Sequence, residues 1–362
     1  MIALAKDDDV AELKEIWIDS FGDELFIDLF FKHVFNPYDT LVCYSPDHIL
    51  SKITSVLYLL TRNINIWGGR RQVGYIYAAA TRQTDRNKGY MRSLIKESLK
   101  LSYDRGHIFS VLVPGDESLY NYYSRYNYVK GFYHKRKRLV QRQAVKAGNI
   151  EPAVCGIEMI DQLYFLYEKF YNVDKTLVLS KDEFELNMMD TEAKRKFYLL
   201  NDVNTCRNCG YAIVDEAKLL IEELGAEPDL YQDVLEVFLD LYNSGLEIIE
   251  RPERGSEIPG SNNIPFGMAR VVNVSKCLGL WASKNTEANF SFSVCDGIID
   301  ENNGLYIVRK GVVEKQESEG RTQITVENLT SLLLGYVVTE IDYNINKMFN
   351  TGNMPYMNMM MN

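Results

Sequence analysis

Apolar positions recur every three to four residues in two stretches near the start of the chain. Val10, Leu13, Ile16 and Trp17 share one face of a helix predicted over 7–20, and a Phe- and Leu-rich helix follows over 23–35, stopping before Asn36-Pro37. Asp7 to Asp9 stand where negative charge suits the N-terminus of the first helix. The pattern then turns to strands, over 40–44, 49–60 and 62–72. The stretch around which the rest is organised is Gly74 to Thr81, a strand of aromatic, β-branched and small residues. A polar turn from Arg82 to Gly89 leads into a helix from Tyr90 to Gly106. That helix carries Met91, Leu94, Ile95 and Leu99 on one stripe and Arg92, Lys96, Glu97 and Lys100 off it. A strand over 108–113, a short helix near 118–126 and a strand over 128–140 follow. The order predicts a mixed α/β (α+β) domain over 1–140, with helices on both faces of a sheet.

From Ile150 the texture changes. Helices are predicted over 159–171, 181–190 and 230–244, and strands over 196–201, 210–214, 217–224 and 246–252, giving a second α/β unit over 141–262. Residues 251–265 are rich in Pro, Gly, Ser and Asn and read as a linker. After it come the run Gly267 to Val274, a helix near 275–281, strands over 288–294, 304–308, 311–315 and 323–326, and a Leu-rich helix starting near Val326, which make a third α+β region over 263–362.

The chain's 362 residues exceed one ordinary core, in keeping with two or three domains. A net charge of −10 argues against a nucleic-acid partner held through phosphates and suits a substrate that arrives as a cation, such as an amine. Met1 to Asp9 lack the basic and then apolar pattern of a signal peptide, and no apolar run approaches the roughly 18 residues of a membrane span. The six cysteines are scattered and expected to be reduced. A cytoplasmic protein with no membrane or nucleic-acid partner is expected.

The strand–turn–helix at 74–106 aims backbone N–H groups and the positive end of a helix dipole at one point, an anion site. Its turn is neither G-x-x-x-x-G-K-[ST] nor G-x-G-x-x-G. It follows R-x-x-G-x-(G/A), as Arg86-Asn87-Lys88-Gly89-Tyr90-Met91, with Met91 in the place of the small residue. Downstream lies Ser118-Leu119-Tyr120-Asn121-Tyr122-Tyr123-Ser124-Arg125-Tyr126-Asn127-Tyr128-Val129, a helix with a tyrosine followed by a strand, with Asn127 where glycine is usual. The two pieces in this order resemble the GNAT superfamily of N-acetyltransferases. The organisation of the whole chain is similar to the Eis (enhanced intracellular survival) type, with a degenerate second acetyltransferase domain and a sterol-carrier-like C-terminal domain.

The resemblance implies acetyl-CoA as co-substrate and no metal. Its pyrophosphate would lie against the amides of Asn87, Lys88, Gly89, Tyr90, Met91 and Arg92 and the side chain of Arg86, its pantetheine and thioester along Ala79, Ala80 and Thr81, and its amide near Ser118. Tyr123 falls on the family's tyrosine and would be the acid for the leaving thiolate; taken alone it reads first as part of an aromatic core edge with Tyr120, Tyr122, Tyr126 and Tyr128. The base implied by the family is the chain's last carboxylate, that of Asn362, with Asp116 and Glu117 as rivals by proximity. Trp17, Phe26, Phe30 and Tyr77 either wall an acceptor pocket or pack the core. The family implies a small-molecule or lysine amine as acceptor and a homo-oligomer, a hexamer by resemblance. A CoA- or acyl-binding protein without turnover, or a lipid carrier working through the C-terminal region, remain alternatives.

Other features carry plainer readings. The tail from Phe349 holds five methionines and no side-chain charge, so it prefers a buried groove, either as packing or to place the Asn362 carboxylate. A second R-x-x-G-x-A string, Arg207 to Ala212, leads into a strand and reads as a hairpin turn. Lys135-Arg136-Lys137-Arg138 reads as a solvated strand end. Cys206-x-x-Cys209 is a single pair without the partners of a zinc site, and the four histidines show no metal spacing.

Overall fold

The computed structural model describes residues 1–22, 24–45, 53–140, 150–190, 194–242, 245–252, 263–318, 320 and 322–358. The chain begins with β1 (Ile2–Leu4), α1 (Val10–Phe21), α2 (Glu24–His33), β2 (Thr40–Tyr44), β3 (Ile53–Ile66), β4 (Gly69–Thr81), α3 (Tyr90–Asp104), β5 (Phe109–Leu112), α4 (Glu117–Ser124) and β6 (Val129–Arg138). It continues with β7 (Ile150–Cys155), α5 (Ile160–Tyr171), β8 (Thr176–Val178), α6 (Lys181–Met189), β9 (Arg195–Asp202), β10 (Arg207–Asp215), β11 (Leu220–Ala226), α7 (Tyr231–Tyr242) and β12 (Glu247–Glu250). The last part holds β13 (Asn263–Val271), α8 (Val274–Ala282), β14 (Asn289–Cys295), β15 (Gly304–Arg309), β16 (Val312–Gln316), β17 (Gln323–Thr325), α9 (Val326–Leu334) and α10 (Tyr343–Phe349).

The described residues fall into two compact units, 1–132 with 266–355, and 133–265 with 356–358. In the first unit the strand order is β1-β2-β3-β4-β5-β13 and then the start of β6. Pairing of β4 with β5 is parallel and the other pairs from β1 to β4 are antiparallel. The core beneath this sheet joins Leu57, Leu59 and Ile76 to the α3 stripe of Leu94, Ile95 and Leu99 and to Tyr120, Tyr123, Tyr126 and Tyr128. Close approach of α3 to β4 needs Gly74, because a Cβ there would lie 2.4 Å from Ser102 Oγ. Ser102 instead meets His107 Nδ1 at 2.9 Å, while His107 Nε2 meets Thr61 Oγ1 at 3.2 Å. Burial pushes the His107 imidazole down to about 4.

A smaller sheet, β16-β15-β14-β17, belongs to the same unit. Its attachment is a buried ion pair: Arg270 on β13 donates from Nη2 to Asp296 Oδ1 at 2.6 Å, both side chains fully buried. Asp296 also accepts from the amides of Ile298 and Ile299 and from Asn302 Nδ2, so its charge is fully answered. In the second unit β12-β11-β10-β9-β7 form the sheet, and Lys135–Arg138 of β6 pair with β12. Pro152 lacks an N–H and sits on β7, the edge strand of this order.

Four expectations need correction. The strands expected over 49–60 and 62–72 are one long strand, β3, followed by a hairpin into β4; residues 46–52 lie outside the described residues. The turn is Trp67-Gly68, both at positive φ, the two-residue geometry that matches strand twist, and Thr61-Arg62 is uninterrupted strand. Residues 263–265 of the expected linker begin β13, which pairs with β5 further along; residues 253–262 lie outside the described residues. The strands β1, β7 and β8 and the helix α10 had no expected counterpart, being short and without clear periodicity. The string Arg207 to Ala212, expected as a hairpin turn, is itself the start of β10, and the turn precedes it at 203–206, because Arg207 already pairs with Asp202. The basic run Lys135–Arg138 is strand, as expected, and pairs its charges with β12 through Arg136–Glu247 and Lys137–Glu250.

Candidate active site

The turn after β4 is built by local sequence. Gln83–Asp85 form one 3-10 turn, Asn87 adopts φ +62 and Gly89 φ +85. No atom lies within 4 Å of where a Gly89 Cβ would be, so glycine is needed for its dihedral and not for space. Arg82 pins the turn to α1 by donating to Glu12 and Glu15 at 3.2 and 3.3 Å, and to the Ile53 carbonyl at 3.0 Å. Sequence reasoning missed Arg82; its signal was position alone, at the strand's end.

Ser93 is the first residue of α3 whose amide reaches a helical acceptor, Gly89 O at 3.1 Å. Among the described residues the amides of Gly89, Tyr90, Met91 and Arg92 meet no protein acceptor, and no side chain caps the helix. Arg86 and Arg92 are exposed and, among the described residues, form no ion pair; Lys88 is paired with Asp85 at 2.8 Å. That pairing holds the Asp85 carboxyl below its usual range. Arg86 donates from Nε to the Thr81 carbonyl at 3.3 Å, which leaves its charge unanswered. An open helix N-terminus flanked by two guanidinium groups without carboxylate partners among the described residues suits a polyanion.

Upstream, β4 carries an extra residue. Tyr77 pairs with Tyr58 and Ala80 with Val56, and Ala78 in between takes φ +43, which is strained for alanine. The parallel pairing of β4 with β5 ends at Ile76–Leu112. Ala78, Ala79 and Thr81 are half-buried at this splay and Ala80 is buried. The bulge therefore turns backbone toward an opening between two strands, which alternation in the sequence did not reveal.

Tyr123 lies on α4, buried at 8% exposure against Tyr122 and Tyr128, with ring centroids 5.4 and 6.0 Å away. Its hydroxyl has no hydrogen-bond partner among the described residues. Burial first, and Tyr126 second, push this phenol up to about 12, so it stays protonated at neutral pH. Tyr128, by contrast, is engaged with Ser110 Oγ at 2.6 Å. Asp116 caps α4, accepting from the amides of Ser118 and Leu119 and from Ser118 Oγ. Those bonds, the Ser118 hydroxyl foremost, hold its carboxyl below the usual range and make it a poor base. Ser118 keeps its oxygen lone pairs to accept from a ligand. Glu117 is exposed, 3.6 Å from Lys130. Asn127 adopts φ +66, a conformation asparagine tolerates, and donates to Glu327, so it serves in the glycine position.

Trp17, Phe26, Phe30 and Tyr77 are brought together: Trp17 lies 4.7 Å from Phe30 and 5.7 Å from Tyr77, centroid to centroid. All four are buried and Phe30 is wholly enclosed, which makes it core. The cluster holds two buried polar atoms without partners among the described residues, Trp17 Nε1 and Tyr58 Oη. Asn362 lies outside the described residues, as do residues 359–361. The tail before them is buried as its methionines suggested, Met354 and Met357 being almost fully enclosed.

Residues 1–131 match the acetyltransferase (GNAT) domain family, and this part of the chain is an acetyltransferase domain of the GNAT class. Residues 275–341 match the sterol carrier protein domain, so the chain combines the two. Over its whole length it has the fold of the Eis-type enzymes: it is similar to Eis1 from Mycobacterium abscessus, at 15% identity and a TM-score of 0.74, covering 99% of each chain. It is likewise similar to a GCN5-related N-acetyltransferase from Anabaena variabilis, at 18% identity and a TM-score of 0.75, covering 99% of this chain and 98% of that one. A conserved protein of unknown function from Enterococcus faecalis, a probable N-acyltransferase, aligns at 14% identity and a TM-score of 0.77, with 99% and 98% covered. No curated protein matches the chain by sequence. Among the described residues no helix is long and apolar enough to cross a membrane.

Proposed function

We propose that the protein moves an acetyl group from acetyl-CoA to a primary amine of a small molecule or lysine, by direct attack in a ternary complex. The observation that carries this reading is the row of four amides from Gly89 to Arg92 that meet no acceptor among the described residues, next to two arginines that form no ion pair among them. A diphosphate satisfies such amides, and its negative charge suits the helix terminus. Arg86 adds a charge-assisted bond, and the splay beyond Ile76 leaves backbone of Ala79, Ala80 and Thr81 to hold the pantetheine arm and polarise the thioester carbonyl.

In the reaction the amine nitrogen bonds to the thioester carbon, the carbon–sulfur bond breaks with its electron pair on sulfur, and the amine loses one proton. Tyr123 faces the leaving thiolate in this reading. A phenol near 12 is a weaker acid than an alkyl thiol of roughly 8.5, so complete proton transfer is uphill. Its first contribution is therefore a hydrogen bond to the developing thiolate, with the proton following as the dry site raises the thiol too. The carboxylate of Asn362 takes the amine proton, directly or through water. The N–H of Trp17 and O–H of Tyr58, without partners among the described residues, mark the acceptor's side of the site in this reading, beside Tyr77. In this reading the chain divides into an acetyltransferase domain over 1–140, a degenerate one over 141–262 and a sterol-carrier-like domain over 263–362, and assembles as a hexamer.

Calorimetry with acetyl-CoA and a thiol-release assay over an amine panel test the proposal. Heat of binding and release with at least one amine are expected. No binding overturns the site, and binding without release over the panel reduces the protein to a binder. Deleting residues 359–362 tests the base: unchanged kcat removes the terminal carboxylate from the mechanism.

A further inference from the structure

The second unit repeats the geometry of the first where the acyl site would be. Its β10–β11 hairpin carries an extra residue on the second strand: Ile213 pairs with Glu223 and Val214 with Ile221, leaving Glu222 over. Parallel pairing of β11 with β12 covers only Leu220–Glu247 and Ile221–Ile248 and then stops, as β4 and β5 part after Ile76. The connection to the following helix differs. Glu227-Pro228-Asp229-Leu230 replaces the glycine and arginines of the first unit with two carboxylates, which repel a diphosphate.

The opening in the second unit is filled by the chain itself. Tyr356 N donates to Lys175 O and Leu177 N donates to Tyr356 O, each at 2.9 Å, so the tail pairs parallel with Thr176. His134 donates from Nε2 to Met357 O at 2.8 Å, and the Asn358 amide donates to the carbonyl of Glu222, the bulged residue. The Arg251 guanidinium lies 4.8 Å from the Tyr356 ring centroid and donates to Thr176 Oγ1 at 2.6 Å. Tyr356, Met357 and Asn358 are 3%, 0% and 7% exposed, an extent of enclosure ordinary for a core.

We infer that the second unit is a receptor for the chain's own C-terminal segment: its splayed-strand groove has exchanged an acyl-CoA for residues 356–358, and His134 and Asn358 are positioning residues that hold that segment. Anchoring stands on these contacts alone. Its effect on turnover rests on the proposed role of the Asn362 carboxylate. Seating 356–358 restricts the reach of that carboxylate to four residues of chain and raises its effective concentration wherever it acts.

Two full-length variants test this. His134→Phe keeps a ring against Tyr356, 5.6 Å away in the native protein, and removes the donor to Met357. Asn358→Ala removes the bond to Glu222 and lies on the tail, where it leaves the sheet intact. Carboxypeptidase trimming of the native proteins, followed by mass spectrometry, reads anchoring. The wild type should resist trimming past Asn358, and each variant should be trimmed through Tyr356 about tenfold faster, the loss of one buried bond. With acetyl-CoA, kcat should fall by a similar factor while KM for acetyl-CoA stays within about twofold. Wild-type trimming rates in both variants overturn the inference. Faster trimming with unchanged kcat upholds the anchor and overturns the carboxylate's role instead.

Discussion

Tyr123→Phe removes one oxygen atom, and the structure says what that oxygen does not do. It bonds to no described protein group, so its loss strands no buried partner and the usual cost of about 1–3 kcal/mol for an orphaned group does not arise. The ring keeps its edge contacts with Tyr122 and Tyr128. Stability should therefore hold to within roughly 0.5 kcal/mol, and acetyl-CoA should raise the melting temperature of wild type and variant alike. If the hydroxyl serves the leaving thiolate, kcat falls by ~10²- to 10⁴-fold, or about 3–5 kcal/mol of barrier. The uphill transfer from a phenol near 12 favours the lower end of that range. Thiol release at saturating acetyl-CoA and amine measures kcat, and a melt on the same samples measures folding. Tyr128→Phe is the control, since it strands Ser110 Oγ and should cost stability by about 1–3 kcal/mol while leaving the leaving group served. Turnover of Tyr123→Phe within twofold of wild type refutes the role, and a large fall in melting temperature would show that the hydroxyl was structural after all.

Arg86→Ala should weaken acetyl-CoA binding by about 10- to 150-fold, the value of one charge-assisted bond to phosphate, and flatten the salt dependence of the dissociation constant measured by calorimetry. Asp296→Ala leaves Arg270 charged and enclosed; a loss of about 3–5 kcal/mol, near 10 °C in the melt, is expected, and adding Arg270→Met should recover part of it. His107 and His134, held at about 4 by burial, bind their protons less readily than in the unfolded chain near 6.5. The stability they contribute is full above pH 6.5 and is lost as pH falls toward 4, about 3 kcal/mol each. Glu223, raised to about 8 by burial, has the opposite sign: its share is full below about 4.5 and is lost as pH rises to 8, so Glu223→Gln should remove the falling limb between those values from a melt-versus-pH curve. An unchanged limb in that variant would assign that loss to other groups.

Much of this was legible in one dimension because it is local. The α3 stripe, the short helix after Ser118 and the glycine before Tyr90 depend on neighbours within a few residues, where periodicity and side-chain type decide conformation. The bulge at Ala78 was hidden, since three alanines in a row show no alternation to be broken, and its cause is the pairing of β4 with β3. The break expected at Thr61 was misplaced because polar residues can also continue a long strand whose turn lies further on, at Trp67-Gly68.

By itself the sequence marked Arg86, Gly89 and the helix that starts at Tyr90 as an anion site, and it marked the methionine-rich tail as a segment that prefers burial. Only the tertiary structure decided that, among the described residues, the helix amides and the Tyr123 hydroxyl meet no partner while the Tyr128 hydroxyl does, and that β11, His134 and Arg251 close around residues 356–358. The reason is separation along the chain. His134 and Met357 stand 223 positions apart, and no pattern in composition or spacing can say which distant groups a fold will bring within hydrogen-bond distance.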